Sequence, residues 1–169
     1  MTAVTDRPES APPRPPYRAY AGIMGAFAGG LAAAGGLARL LDREPRQQSP
    51  LDFAVLSLAT FKAARTISRD DVSSFLREPF VLGEAGGGEA EAPIATGGAR
   101  QAIGELVTCS RCVGTWCAAG LASTQIIAPR FGRLLTWSLA AAGASDWLQA
   151  GFAALAHESN ELEHRAGGG

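Results

Sequence analysis

The sequence is poor in lysine and in cysteine, and both shortages restrict what the chain can do. Lys62 is the only lysine among 169 residues and the formal net charge is -1, so the chain lacks the basic field that nucleic-acid binding requires. All three cysteines lie between residues 109 and 117, and an odd, clustered set does not form the framework of a secreted disulfide-stapled domain. We therefore expect a reducing, cytoplasm-facing environment for these thiols.

A complete catalytic constellation is also lacking. His157 and His164 have no serine or acidic partner at a diagnostic spacing, so a hydrolase triad has no support. The triplet Gly86-Gly87-Gly88 is not followed by the Lys-Ser/Thr pair and helix start of a phosphate-binding loop. Its composition is that of a flexible linker. The sequence therefore predicts a protein that is not an enzyme.

The chain does contain long runs without an ionisable residue. Ala19 to Ala38 gives twenty such residues, Phe53 to Phe61 nine, and Cys112 to Ala128 seventeen. A helix that crosses a bilayer needs about 20 predominantly apolar residues. The pattern predicts an all-α polytopic membrane protein of four helices, three or four of them transmembrane, with the lipid bilayer as its main partner.

The predicted organisation places a polar loop inside the membrane domain and a helical hairpin at its end. Pro129 to Arg133 forms a tight turn, so the two helices that flank it must be antiparallel. The helix over 51–67 has a short apolar core and either spans a thinned bilayer or lies on its surface. The predicted segments are a disordered Pro-rich tail (1–18), a first transmembrane helix (19–41), a membrane domain (51–155) with helices 51–67, 103–128 and 134–155 around a polar loop (68–102), and a solvated tail (156–169).

The distribution of Lys and Arg predicts the orientation. With four spans and both termini in the cytoplasm, ten of the fifteen Lys and Arg residues lie on the cytoplasmic side, as the positive-inside rule favours. A three-span alternative, with the N-terminus outside and residues 51–67 on the membrane surface, satisfies the rule about equally well. Multi-pass insertion in the cell membrane is expected in both cases.

The first predicted span is rich in glycine. Gly25 and Gly29 form a small-xxx-small face, and glycines at this spacing allow two helices to approach closely in lipid. The face predicts a homo-oligomer that associates through Gly25 and Gly29, close packing against another helix of the same chain, or no more than a general enrichment in glycine and alanine.

Three blocks of sequence carry a resemblance to a known family. They are ATFKAARTISRD at 59–70 with LREPF at 76–80, GELVTCSRCVGTW at 104–116, and GASDWLQ at 143–149. In this order they resemble the small bacterial integral-membrane family catalogued as domain of unknown function 1360, some of whose members are labelled sporulation proteins. The resemblance covers roughly residues 51–155 and leaves the first span outside.

The resemblance implies a location but no reaction. It implies a bacterial cell membrane protein, favours residues 51–67 as a true span that ends at Arg65, and matches Cys109, Cys112 and Asp146 to motif positions, with Trp116 in the same block as the cysteines. The two residues between the cysteines are usually proline and an aromatic residue in the family. This chain has Ser110 and Arg111 there.

The cysteine pair permits three interpretations. A thiolate at a helix N-terminus beside Arg111 suits a thiol-disulfide couple. Two thiolates at the spacing of Cys109 and Cys112 also supply half of a tetrahedral zinc site, which makes zinc the one cofactor to consider. The third interpretation is a structural pair that packs near the membrane boundary.

Two acidic residues are further candidates. Asp146 lies nine residues before Leu155, close to the bilayer centre, where a carboxylate is a functional-site hypothesis by default. It either relays protons or binds a polar substrate group, or it holds the hairpin together through a hydrogen bond. The partners considered for that bond are Thr115, Ser123, Thr124 and Gln149. Glu105 is expected to pair with Arg100 or Arg111 at the interface.

These observations rank three functions. The first is a non-enzymatic structural or scaffolding component of the membrane. The second is a membrane thiol-redox or zinc-binding protein that acts through Cys109 and Cys112. The third is a conduit for a small solute or for protons through Asp146, which would need oligomerisation to enclose a path.

Overall fold

The chain forms an all-α structure, as the sequence predicted. The structure is a computed structural model that describes residues 15–44, 48–83 and 91–167, with side chains described as far as residue 161. Most of the predicted Pro-rich tail lies outside the described residues. The helices are α1 (Tyr17–Leu40), α2 (Pro50–Arg69), α3 (Ser74–Arg77), α4 (Ala99–Thr108), α5 (Ser110–Ile127) and α6 (Pro129–Gly167).

The connection between α2 and α4 contains short elements. Two 3-10 turns, Asp71–Ser73 and Glu78–Phe80, flank α3. Strands β1 (Val81–Leu82) and β2 (Ala92–Pro93) pair antiparallel. This segment is the polar loop that the sequence predicted over 68–102.

Helix α2 begins at a capping box. The Ser49 hydroxyl accepts from the Asp52 backbone N–H at 3.2 Å, and the Asp52 carboxylate accepts from the Ser49 N–H at 3.0 Å. Pro50 occupies the first helical position, where its missing N–H costs nothing. The helix therefore starts one residue before the predicted 51 and continues two residues beyond the predicted 67.

The predicted single helix over 103–128 is wrong. The chain leaves helical geometry at Cys109, with φ -98° and ψ 100°, so α4 and α5 are separate helices. The cause is tertiary packing, since no proline or glycine stands at the break. A Cβ atom on Gly104 would lie 2.5 Å from the Phe80 carbonyl oxygen, so α4 is pressed against the connecting segment and belongs to it.

The prediction of a turn at Pro129–Arg133 and a helix over 134–155 also needs correction. Helix α6 begins at Pro129 and continues to Gly167. The chain reverses without a loop because Gly132 allows the backbones of α5 and α6 to touch, and a Cβ atom there would lie 2.6 Å from Gln125 Cα. Nothing between residues 156 and 166 breaks the helix, so the predicted tail is largely helical. The C-terminal hairpin itself is present.

The four long helices α1, α2, α5 and α6 form a bundle with two distinct ends. At one end Ser68 of α2 contacts Ser110 of α5, and Tyr20 of α1 contacts Glu105 of α4. We call this the loop end. At the other end Gln125 of α5 donates to Thr136 of α6 at 2.9 Å, and we call this the turn end. α2 and α6 therefore run in one direction, while α1 and α5 run in the other.

Small side chains fill the interior of the bundle. Ala59, Leu121 and Ala140 form the buried cluster between α2, α5 and α6. Helix α1 packs mainly against α5 and α4, and it buries only Ala38. Among the described helices, α1 alone is long and apolar enough to cross a membrane by length and composition, with a mean hydropathy of 1.5.

Candidate functional site

The junction of α4 and α5 carries the cysteine pair that the sequence singled out. We call residues 109–112 the cysteine turn. Cys109 is the N-cap of α5, and its Sγ atom accepts a hydrogen bond from the Cys112 backbone N–H at 3.3 Å. Cys109 is half-buried, Cys112 is exposed, and all three cysteines are free thiols. The helix N-terminus therefore holds one sulfur in place and leaves the other accessible.

The surroundings of Cys109 favour its thiolate. A hydrogen bond from the Cys112 side chain lowers the pKa of the Cys109 thiol, with further help from the backbone N–H groups of Cys112 and Arg111 and from the Arg111 charge, while burial opposes these effects. A lower pKa raises the fraction of thiolate, which is the nucleophilic form of cysteine.

The residue between the cysteines ties the cysteine turn to α2. The Ser110 and Ser68 hydroxyl oxygens lie 2.6 Å apart, and the buried Ser68 hydroxyl also donates to the Ala64 carbonyl at 2.8 Å. Ser68 is 1% exposed. The position of the cysteine turn is therefore fixed relative to the loop end of α2.

The described donor set does not fit a mononuclear zinc site. Such a site needs four ligands, or three and an open position. Over the part of the chain that the structure describes, no group of three or more His, Cys, Asp and Glu residues is placed to hold a metal. A zinc ion on Cys109 and Cys112 would need ligands from outside the described residues or from a second molecule.

Asp146 has a charged partner that the sequence analysis did not identify. The Lys62 ammonium donates to the Asp146 carboxylate at 2.9 Å, across the contact between α2 and α6. The two side chains are 21% and 36% exposed. The proposed hydrogen-bond partners Thr115, Ser123, Thr124 and Gln149 were wrong, because Asp146 faces α2.

Close packing on α6 brings this pair together. A Cβ atom on Gly143 would lie 2.9 Å from the Leu58 carbonyl oxygen and 3.3 Å from Lys62 Cβ. The backbones of α2 and α6 therefore touch one helical turn before Asp146. Asp70 lies further from the ammonium, at 3.9 Å, so Asp146 is the main partner of Lys62.

Glu105 joins α1 to α4 and does not pair with an arginine. Its carboxylate accepts from the Tyr20 hydroxyl and, at 2.8 Å, from the Gln101 amide. Arg100 instead donates to the Pro79 carbonyl oxygen at 2.6 Å. The predicted pairing of Glu105 with Arg100 or Arg111 was wrong, because α4 turns this face toward α1.

A second ion pair lies in the connecting segment. Arg77 Nε donates to Glu91 Oε2 at 2.6 Å and Arg77 Nη2 to Glu91 Oε1 at 3.1 Å, with side chains 0% and 3% exposed. Arg77 Nη1 donates to the carbonyl oxygens of Ile67 and Asp70 and to the Ser73 hydroxyl. The guanidinium thus caps the C-terminus of α2 and fastens the strand segment to it.

The remaining predicted residues have simpler surroundings. Trp116 packs edge-on against Phe27 of α1, with ring centroids 5.1 Å apart, so it is a contact between helices. Arg65 is exposed on α2, and no ion pair joins it to another residue in the described ranges. Neither residue belongs to the cysteine turn or to the two ion pairs.

Sequence reasoning missed Lys62 and the pair formed by Arg77 and Glu91. A signal existed for Lys62, since it is the only lysine and directly follows a charge-free run. Two opposite charges that lie inside neighbouring apolar helices are expected to meet. No local signal connects Arg77 to Glu91, because fourteen residues separate them.

Comparison with known proteins gives a family. A model described as "Protein of unknown function (DUF1360)" matches residues 55–152, a range that includes the cysteine turn and both ion pairs. "Sporulation protein YjcA" of Bacillus subtilis (strain 168) is 35% identical over 112 residues, which cover 59% of this chain and 95% of the relative. No solved structure matches the chain. With more than half of its length matched, the chain belongs to the DUF1360 family of proteins of unknown function.

Proposed function

We propose that the chain is a multi-pass membrane protein with α1, α2, α5 and α6 as its spans, and that it acts as a non-enzymatic structural component. The observation that carries the proposal is the sorting of side chains by size. Buried positions hold mainly alanine, serine and threonine, whereas large apolar side chains point outward. Small residues at helix contacts and large apolar residues on the outside are typical of helices packed in lipid.

The outward-facing apolar residues of the bundle lie on α1, α2 and α6. Phe152 of α6 is 75% exposed and Met24 of α1 is 72% exposed, and exposed apolar side chains in such number mark a contact with lipid or protein. Further examples are Leu31, Leu37, Leu51, Phe53, Phe61, Leu134, Trp147, Leu148 and Leu155.

Paired polar side chains explain why α2, α5 and α6 are less hydropathic than α1. Lys62 pairs with Asp146 and Gln125 with Thr136, so these groups lie at helix contacts. Polar groups inside a membrane are tolerated when they face the bundle and pair with one another. Because Asp146 has a cationic partner, a role in fastening α2 to α6 is favoured over a conduit.

Arginine placement supports cytoplasmic termini. The loop end carries Arg18, Arg65, Arg69, Arg77, Arg100 and Arg111, while the turn end carries Arg39, Arg43, Arg130 and Arg133. The positive-inside rule then assigns the loop end, with the start of α1 and the end of α6, to the cytoplasm.

Sporulation is the process named for the relative, and for this chain we propose the membrane role alone.

Single-cysteine labelling tests the proposed topology. In a variant with the three native cysteines changed to serine, Arg130→Cys at the turn end is expected to react with a membrane-impermeant maleimide in intact cells. Val72→Cys at the loop end is expected to react only after permeabilisation. Labelling of both positions from the same side, or release of the chain from membranes by alkaline carbonate, would overturn the four-span proposal.

Self-association through α1 is the proposed partner interaction. An added Cβ atom on Gly25 or Gly29 would meet no atom within 4 Å, so these glycines pack against no other helix in the described chain. Gly25→Leu combined with Gly29→Leu is expected to abolish most energy transfer between labelled copies in vesicles. Ala26→Leu with Gly30→Leu, also exposed but rotated about 100° around the helix, is the matched control. Equal loss in both variants would contradict a specific face.

A further inference from the structure

We propose that Cys109 and Cys112 form a dithiol that reduces disulfide bonds at the loop end of the bundle, with Cys109 as the attacking thiol and Cys112 as the resolving thiol. The substrate class is an accessible disulfide, either in a small molecule or in a protein. The proposal adds a thiol-exchange activity to the structural role in the membrane and departs from the non-enzymatic part of the proposed function. It does not depend on the number of spans.

The first argument is the backbone at the cysteine turn. Cys109 lies just outside α5 and Cys112 in its first turn, and the Cys112 N–H already points at Cys109 Sγ with a separation of 3.3 Å. One helical turn therefore brings the two side chains to the same place. This spacing places both sulfurs on the same side of the first turn of α5, where a disulfide between them would close.

The second argument is the rigid support of the cysteine turn. Ser110 is held by the buried Ser68, and Ser68 is itself bonded to the α2 backbone. Because Ser110 lies between the cysteines, this contact with α2 keeps the two sulfurs near each other in the reduced state. Such preorganisation raises the effective concentration of the resolving thiol.

The third argument is the division of roles between the sulfurs. Cys109 Sγ accepts a hydrogen bond from the Cys112 backbone N–H at a helix N-terminus, where negative charge is stabilised. Arg111 adds a nearby positive charge. Cys112 is exposed and does not occupy the cap. The thiolate therefore forms preferentially at Cys109, and Cys112 remains available for the second step.

The reaction balances without a metal or a bound cofactor. The Cys109 thiolate attacks one sulfur of the substrate disulfide, a mixed disulfide forms, and the other substrate sulfur leaves as a thiolate that takes up a proton. Cys112, after losing its proton to solvent, attacks Cys109 Sγ and releases the second substrate thiol. The substrate gains two electrons, and the chain is left with a Cys109–Cys112 disulfide. A second dithiol in the same compartment reverses this oxidation by the same exchange.

Redox titration of the full chain in detergent, with Cys117→Ser, tests the pair. The protein is equilibrated with mixtures of reduced and oxidised glutathione, quenched with acid and examined by mass spectrometry. The expected product is two hydrogens lighter than the reduced protein, and Cys109 and Cys112 lose their reactivity toward thiol reagents in the same step. Protein that stays fully reduced throughout the series, or that carries only independent glutathione adducts, would overturn the proposal. Stoichiometric zinc bound by the thiols of the purified protein would do so as well.

Single substitutions test the order of attack. Cys112→Ser is expected to accumulate a glutathione adduct on Cys109, because the resolving thiol is gone. Cys109→Ser, which keeps an oxygen acceptor at the N-cap, is expected to react at Cys112 about tenfold more slowly. Equal rates would contradict the assigned roles, and unchanged helicity of both variants guards against misfolding.

Two substrates separate the possible sources of the disulfide. Hydroxyethyl disulfide represents a small molecule and insulin represents a protein, and reduced glutathione is the reductant for both. Turnover of insulin in the presence of excess reduced glutathione, lost in Cys109→Ser, would assign a protein substrate. Turnover of the small-molecule disulfide without turnover of insulin would assign a small-molecule substrate. Stoichiometric oxidation without turnover of either substrate would overturn the reductase role.

Discussion

Arg77→Met is expected to detach the connecting segment from α2 and to lower the stability of the fold by about 3–5 kcal/mol, the usual cost of removing one partner of a buried ion pair. The substitution leaves Glu91 charged and 3% exposed without its partner. It also removes the donor that caps the carbonyl oxygens of Ile67 and Asp70. Hydrogen exchange at the C-terminal turn of α2 and thermal unfolding in detergent would measure both effects.

Two further variants separate charge from geometry at this site. Arg77→Lys keeps the charge but cannot form the two-pronged contact with Glu91, so it is expected to remain well below the parent in stability. Arg77→Met combined with Glu91→Leu removes both charges and is expected to recover part of the loss. An Arg77→Met protein as stable as the parent would show that the buried pair does not hold the segment.

The second large effect is expected at the contact between α2 and α6. Lys62→Met leaves Asp146 at the contact between α2 and α6 without its counterion, and in the proposed membrane placement an unpaired charge within a span costs up to about 2.5–3.5 kcal/mol. We expect a marked fall in the detergent melting temperature and in the yield of membrane-inserted protein. Arg65→Met, three residues further along α2 and exposed, is the matched control with little expected change.

Exchange of the two charges tests whether the pair itself matters. Lys62→Asp with Asp146→Lys preserves the pair in reverse and is expected to restore much of the stability lost in either single variant. Lys62→Met with Asp146→Leu removes both charges and is expected to do the same. If neither double variant recovers stability, Lys62 and Asp146 act separately and the helix-fastening role is wrong.

The sequence predicted the helices better than their contacts. Capping by Ser49 and the long charge-free run of α1 are local signals, and both helices form close to their predicted limits. The break at Cys109 lacks the proline or glycine that usually ends a helix, and it accompanies the close packing of Gly104 on Phe80. The extension of α6 beyond residue 155 was missed because the helix was predicted to end with the apolar run, whereas the polar residues that follow also continue it.

The contacts at the candidate site were also predictable from the sequence only in part. The proximity of Cys109 and Cys112 follows from their spacing at a helix start, and the sequence alone suggested it. The contact of Lys62 with Asp146 joins residues 84 positions apart, and that of Tyr20 with Glu105 joins residues 85 apart. No periodic pattern encodes such a pairing, since it depends on how α1, α2, α4 and α6 assemble.

The peripheral position of α1 bears on how the protein is made. Its main packing partner, α5, begins about 70 residues after α1 ends, so a ribosome that adds roughly 5–20 residues each second needs on the order of 4 to 14 s to reach it. In the proposed membrane placement, α1 spends that interval in the bilayer without its neighbour, and its glycine face is open to an α1 from a second nascent or finished chain. The proposed assembly between copies through this face would therefore begin during translation, before α2, α5 and α6 have closed around their ion pair.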